Sequence, residues 1–129
     1  MKKLLILLLS ILISFNSYGE IICIDTDAQE RDGIIYLSSE TKPFTGKKLC
    51  KYENGKKQAE GNYKGGKKDG KHAKWLENGQ KESEVNYKDG KEDGKAIWWD
   101  ENNKIRLEIN YKDGEISRTF YTYHKNGQM

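Results

Sequence analysis

The side chains that could do chemistry in this 129-residue chain are few and widely separated. Nucleophilic catalysis needs a base beside its nucleophile, and the chain offers only His72 and His124, each alone in its own stretch. Alternation puts both on a polar face. His72 stands in a slot that holds Ala96 and Phe120 elsewhere, so we read it as a solvent-facing filler and expect no catalytic residue. Glu60, Glu84 and Glu108 recur together with Asn62, Asn86 and Asn110. As stacked rows in every second strand they would lie roughly 9–10 Å apart, too far to share one cation. Cross-strand ion pairs with Lys74 are the simpler expectation, and no metal site or cofactor is expected. The loop Lys64-Gly65-Gly66-Lys67-Lys68-Asp69-Gly70-Lys71 has the Gly and Lys of a phosphate cradle but no helix after it to supply an anion-binding N-terminus. Cys23 and Cys50 are the only cysteines. We favour an intramolecular disulfide; lipid attachment at Cys23 is the rival, and the bulky Ile22 before that cysteine speaks against it.

The elements that must position these groups come from a repeat. Residues 52–75, 76–99 and 100–123 align at a period of 24, a fourth unit starts at His124 and runs to Met129, and Phe44-Thr45-Gly46-Lys47 opens a half-unit before them. Asn54-Gly55, Asn78-Gly79 and Asn126-Gly127 read as tight hairpin turns with positive φ at both centres, and Asn102-Asn103 holds that place in the third unit. Gly66 with Gly70, and Gly90 with Gly94, bracket the other loop. Arg118 replaces the second glycine after Gly114, so that loop should be the least regular. Between turns the residues alternate with the period of strands. Ala59, Gly61 and Tyr63, then Ser83, Val85 and Tyr87, then Ile105, Leu107, Ile109 and Tyr111 are expected on one side, and the Glu and Asn rows on the other. Ala73 with Trp75, Ile97 with Trp99, and Tyr121 with Tyr123 are expected on one face of the return strands, the aromatic side. The fold class is all-β: an antiparallel meander of hairpins in one elongated, twisted sheet. On its Glu and Asn face the alternation leaves Tyr52, Leu76, Trp98 and Phe120, a row of large apolar groups that we take as the candidate binding residues.

Ahead of the repeats lies a segment of another kind. Lys2 and Lys3 precede the apolar run Leu4 to Ile13, and Ser17-Tyr18-Gly19 closes it, the layout of a secretory signal peptide over 1–19. The expected organisation is therefore a leader over 1–19, a lead-in over 20–43 and repeats over 44–129. Beyond the leader, basic and acidic side chains nearly balance, with Lys and Glu interspersed. That excludes the basic face a nucleic-acid binder needs. Sixteen Leu, Ile, Val and Phe residues cannot build a thick core, whereas twelve regularly spaced aromatic residues argue against disorder.

The unit, Asn-Gly followed by Asn-Tyr-Lys-x-Gly, a second Gly and Trp, resembles the bacterial variant of the MORN repeat. The lead-in over 33–46, ending Pro43-Phe44-Thr45-Gly46, resembles the segment that opens such proteins. The resemblance extends to the YwqK group, labelled antitoxins of toxin–antitoxin systems, and implies a protein partner and no catalysis. Together these features imply a non-enzymatic, exported binding or scaffold module, periplasmic or secreted, with another protein as partner and an antitoxin-like or immunity-like role. The alternative is a cell-envelope glycan binder using Trp98 and Trp99 as stacking platforms, or weak binding to anionic lipid.

Overall fold

A computed structural model describes residues 21–23, 28–38 and 40–120; the leader, Tyr121, Tyr123 and the unit that starts at His124 lie outside them. Among the described residues ten strands follow one another: β1 (Ile21–Ile22), β2 (Ala28–Arg31), β3 (Ile34–Leu37), β4 (Gly46–Lys51), β5 (Lys57–Lys64), β6 (Lys67–Trp75), β7 (Lys81–Lys88), β8 (Lys91–Trp99), β9 (Ile105–Lys112) and β10 (Glu115–Phe120). Strands β4 to β10 form an antiparallel meander in chain order. β1 joins it in parallel beside β4, while β2 and β3 form a separate two-stranded sheet, so the lead-in adds a second layer where one sheet was expected.

Two kinds of turn alternate. Asp32-Gly33, Gly65-Gly66, Asp89-Gly90 and Asp113-Gly114 carry positive φ at both residues, the backbone of a two-residue hairpin whose twist matches that of its strands. At the opposite end of the hairpins only one residue per turn is left-handed: Gly55, Gly79 and Asn103. There the Gly55 amide donates to the Tyr52 carbonyl at 2.9 Å and the Tyr52 amide to the Lys56 carbonyl at 2.9 Å, which makes a three-residue loop. The two-residue turn expected at Asn-Gly is thus one residue longer. Asn54 stays out of the left-handed region and uses its Oδ1 to accept the Lys56 amide at 2.9 Å. In the third unit Asp100 does the same work, its Oδ1 accepting the amides of Asn102 and Lys104.

Gly70 and Gly94 lie inside β6 and β8 rather than at loop ends, with φ of 80° and 98°, where the register shifts opposite β5 and β7. Arg118 cannot share that backbone without strain, and the corresponding irregularity in β10 skips a single residue. The Asp113-Gly114 turn is as regular as its sisters. The expected irregularity therefore belongs to the strand and not to the loop.

The compact part of the core lies at one end, where Ile35, Phe44 and Tyr63 are buried against one another with Ala28 and Leu37 beside them. The Ile35 amide donates to the Gly66 carbonyl at 3.0 Å and the Gly66 amide to the Phe44 carbonyl at 2.7 Å. A β-carbon on Gly66 would meet Ile34 Cγ2 at 2.4 Å and the Ile35 carbonyl at 2.8 Å. Glycine here lets the β2–β3 hairpin seat itself on the sheet.

Candidate functional site

Directly paired residues share a face, so the registers divide the large sheet into two surfaces. On the first, Glu60 pairs with Ala73, Ala73 with Glu84, Glu84 with Ile97 and Ile97 with Glu108. Each glutamate meets a lysine one strand away: Lys47 with Glu60, Lys71 with Glu84 at 3.8 Å, Lys95 with Glu108 at 3.2 Å. Lys57 adds a second contact to Glu60 at 3.0 Å and Lys81 one to Glu84. Hydrogen bonds from Lys47 and Lys57 hold the Glu60 carboxyl below its ordinary range. Ion pairs were expected, but their lysines are Lys47, Lys71 and Lys95, since Lys74 pairs with Ser83 on the other surface. Trp75 and Trp99 belong to this charged surface, with Lys81 Nζ 5.6 and 5.9 Å from their ring centroids. The expectation that they share a side with the tyrosines is overturned, and so is that for Ile105, which a register shift after Trp98 pairs with Trp99.

The second surface carries the tyrosines. Lys48 pairs with Gly61, Tyr63 with Lys68, His72 with Val85, Lys74 with Ser83, Ser83 with Trp98 and Trp98 with Leu107. His72 is not a solvent-facing filler. Its ring stands edge-on between Tyr63 and Tyr87, 5.2 Å from each centroid, and its Nε2 donates to the Asn62 carbonyl at 2.7 Å. The ring occupies the space that a β-carbon on Gly61 would need, as close as 2.3 Å. Burial, the largest cause, pulls the His72 pKa down, and the positive charges of Lys68 and Lys48 act in the same direction against the hydrogen bond to Asn62. The imidazole is therefore neutral near pH 7. Burial raises the Tyr87 phenol, with Glu92 adding to the shift, and Lys68 Nζ lies 4.7 Å from the Tyr87 ring centroid.

Between these groups lies an open hollow of about 320 Å³, lined by Lys48, Lys68, His72, Lys74, Ser83 and Trp98 among others. The four candidate binding residues do not gather in it as a row. Trp98 does, half-buried on the tyrosine surface, opposite the side on which it was expected. Tyr52 and Leu76 close the three-residue turns at their first side, and the Tyr52 hydroxyl donates to the Trp75 carbonyl at 2.7 Å, which ties one turn to the next. The register sets Phe120 opposite Glu108. The sequence named His72, Lys68 and Lys74 in other roles and did not bring them together. Their signal was the two-residue turn at Gly65-Gly66, which sets Lys68, His72 and Lys74 on the side of Tyr63.

Cys23 and Cys50 are joined by a disulfide with their Cα atoms 4.7 Å apart. Among the described residues no group of His, Cys, Asp and Glu is arranged to hold a metal ion, and no helix is long and apolar enough to cross a membrane.

Residues 44–64, 68–89 and 92–113 match the MORN repeat variant, together just over half of the chain. The chain belongs to the MORN repeat variant family. No curated protein and no solved structure matches it. The matched segments run over β4–β5, β6–β7 and β8–β9, so the sheet that presents the hollow is the family's repeat. MORN repeats are commonly non-catalytic modules that bind protein or lipid, a role compatible with both surfaces described above.

Proposed function

We propose that the chain is an exported, non-enzymatic MORN module that binds another protein through the tyrosine surface of its sheet. The observation that carries this reading is the difference between the two surfaces. One satisfies its charges in Lys–Glu pairs repeated unit by unit, and the other brings Trp98 and Tyr87 into a hollow with Lys68 and Lys74. Half-buried aromatic rings are favoured anchors of protein interfaces. Export is supported by the leader features of residues 1–19 and agrees with the disulfide, since such bonds persist in oxidising compartments. The resemblance to the antitoxin-labelled group favours an exported toxin as the partner, which would make the chain an immunity protein. The alternative, a glycan or anionic-lipid binder, would use the same Trp98.

Affinity capture from the envelope and medium, with the leaderless chain beside a folded Trp98→Glu variant as baits, tests the reading. A protein retained by the first and lost by the second is the expected result. Equal retention by both removes the tyrosine surface as the site, and retention of glycan in place of protein supports the alternative.

A further inference from the structure

We propose that the hollow on the tyrosine surface seats an acidic, extended segment of the partner, its carboxylates received by Lys68 and Lys74 and its side chains lying against Trp98 and Tyr87. The inference rests on the protein-binding reading and specifies the partner's chemistry. Lys68 and Lys74 stand on the same surface towards the two ends of β6, with His72 between them. Six residue steps along the strand set the lysines roughly 20 Å apart, the span of an extended peptide and more than one sugar or one headgroup covers.

Two lysines of this surface differ from those of the other. Lys47, Lys57, Lys71, Lys81 and Lys95 all meet carboxylates on the opposite surface. Among the described residues neither Lys68 nor Lys74 takes part in such a pair. Glu92, opposite Tyr87, and Glu30 of β2 line the space next to Lys68, but among the described residues neither forms an ion pair with it. On the next strand, opposite His72, Val85 lines the hollow together with Tyr87 and Trp98. Apolar surface of this kind suits peptide side chains better than sugar hydroxyls. A flat anionic bilayer fits poorly. The β2–β3 hairpin packs on Tyr63 at one end of this surface and keeps a flat layer off it; Glu82, Asp100 and Glu101 border Trp98 at the other end, so Trp98 meets apolar side chains of the segment and not its carboxylates.

The test is fluorescence anisotropy of the full chain with three labelled heptapeptides of alternating Tyr and a second residue: Glu, Gln or Lys. Oligogalacturonate and phosphatidylglycerol vesicles serve as competitors. The Glu peptide should bind at low ionic strength and the Lys peptide should not. Lys68→Glu and Lys74→Glu should each weaken binding by about tenfold or more, because a like charge replaces the receiving one. Lys88→Glu, the same charge change outside the hollow, should weaken it by less than about threefold. The milder Lys68→Gln and Lys74→Gln, with circular dichroism checked for each variant, separate lost contact from lost fold. Equal loss in Lys88→Glu, or no binding of the Glu peptide to the wild-type chain, overturns the proposal. Equal binding of the Gln peptide sinks the acidic specification while the protein-binding reading stands. Binding of oligogalacturonate or vesicles with no peptide binding sinks both.

Discussion

At the scale of single residues, the slot shared by His72 and Ala96 shows how one position can hold different volumes in an otherwise repeated sheet. Ala96 is fully buried between Val85 and Ile109, whereas His72 lies between Val85 and the bare backbone of Gly61. The large ring is thus matched by the missing side chain next to it. Gly61→Val alone should destabilise by about 1–3 kcal/mol through overpacking, and His72→Ala alone by a similar amount through the space it vacates. Together they rebuild the packing around Ala96. The double variant should therefore be more stable than the sum of the single losses predicts, which a double-mutant cycle of urea unfolding measures; strict additivity would deny the coupling. The same residue sets a pH dependence. Because the folded His72 pKa lies below its ordinary value of 6.5, the unfolded chain binds more protons around and below that pH, so stability falls as pH drops through 6.5. The Glu60 contribution, with a depressed carboxyl, is lost only below its ordinary 4.5. Between pH 7 and 5 the urea midpoint should decline in the wild-type chain and stay flatter in His72→Ala.

At the scale of elements, the repeat, the strands and their meander order were legible from the period of 24 and the alternation, because both are written in residue type. The faces of the return strands were not. Grouping aromatic residues together puts Trp75 beside Tyr63, but a hairpin's loop length decides which residues lie opposite one another. With Gly65-Gly66 as the entire loop, Lys64 pairs with Lys67 and Tyr63 with Lys68. Every return strand then presents its other side. The same error moved Trp98 to the wrong surface and made His72 look exposed. The Glu rows were placed correctly, yet their partners follow from the register and not from the spacing. Lys47, Lys71 and Lys95 are the regular members; Ile105 stands where Lys57 and Lys81 provide second contacts. Since these lysines are largely exposed, Glu84→Gln should cost no more than ~1 kcal/mol. The cost should shrink when the unfolding is repeated at high salt. A loss of several kcal/mol that resists salt would show instead that the ladder acts as one buried network.

At the scale of the molecule, a sheet whose β-strands touch only their neighbours in order has no global core to share, so its stability is a sum of local terms. The compact cluster of Ile35, Phe44 and Tyr63 sits where the lead-in meets the first unit. There β1 adds a parallel strand beside β4 and the disulfide fixes it, with Cys50 at 1% exposure. The two cysteines pointed to a covalent tie in the sequence. The parallel strand and the docked hairpin left no comparable mark, because two residues are too few for a period and Gly66 reads as any other turn glycine. The disulfide closes a loop with a sequence separation of 27, for which restriction of the unfolded chain gives about 3–4 kcal/mol. Reduction should remove that amount. In a sheet of nearest-neighbour terms the loss should also be local: amides of β4 and β5 should lose hydrogen-exchange protection first, while β7, β8 and β9 keep theirs. Uniform loss across all strands would mean that the lead-in holds the whole sheet together, and that the β8 side of the hollow depends on a bond at the β4 edge of the sheet.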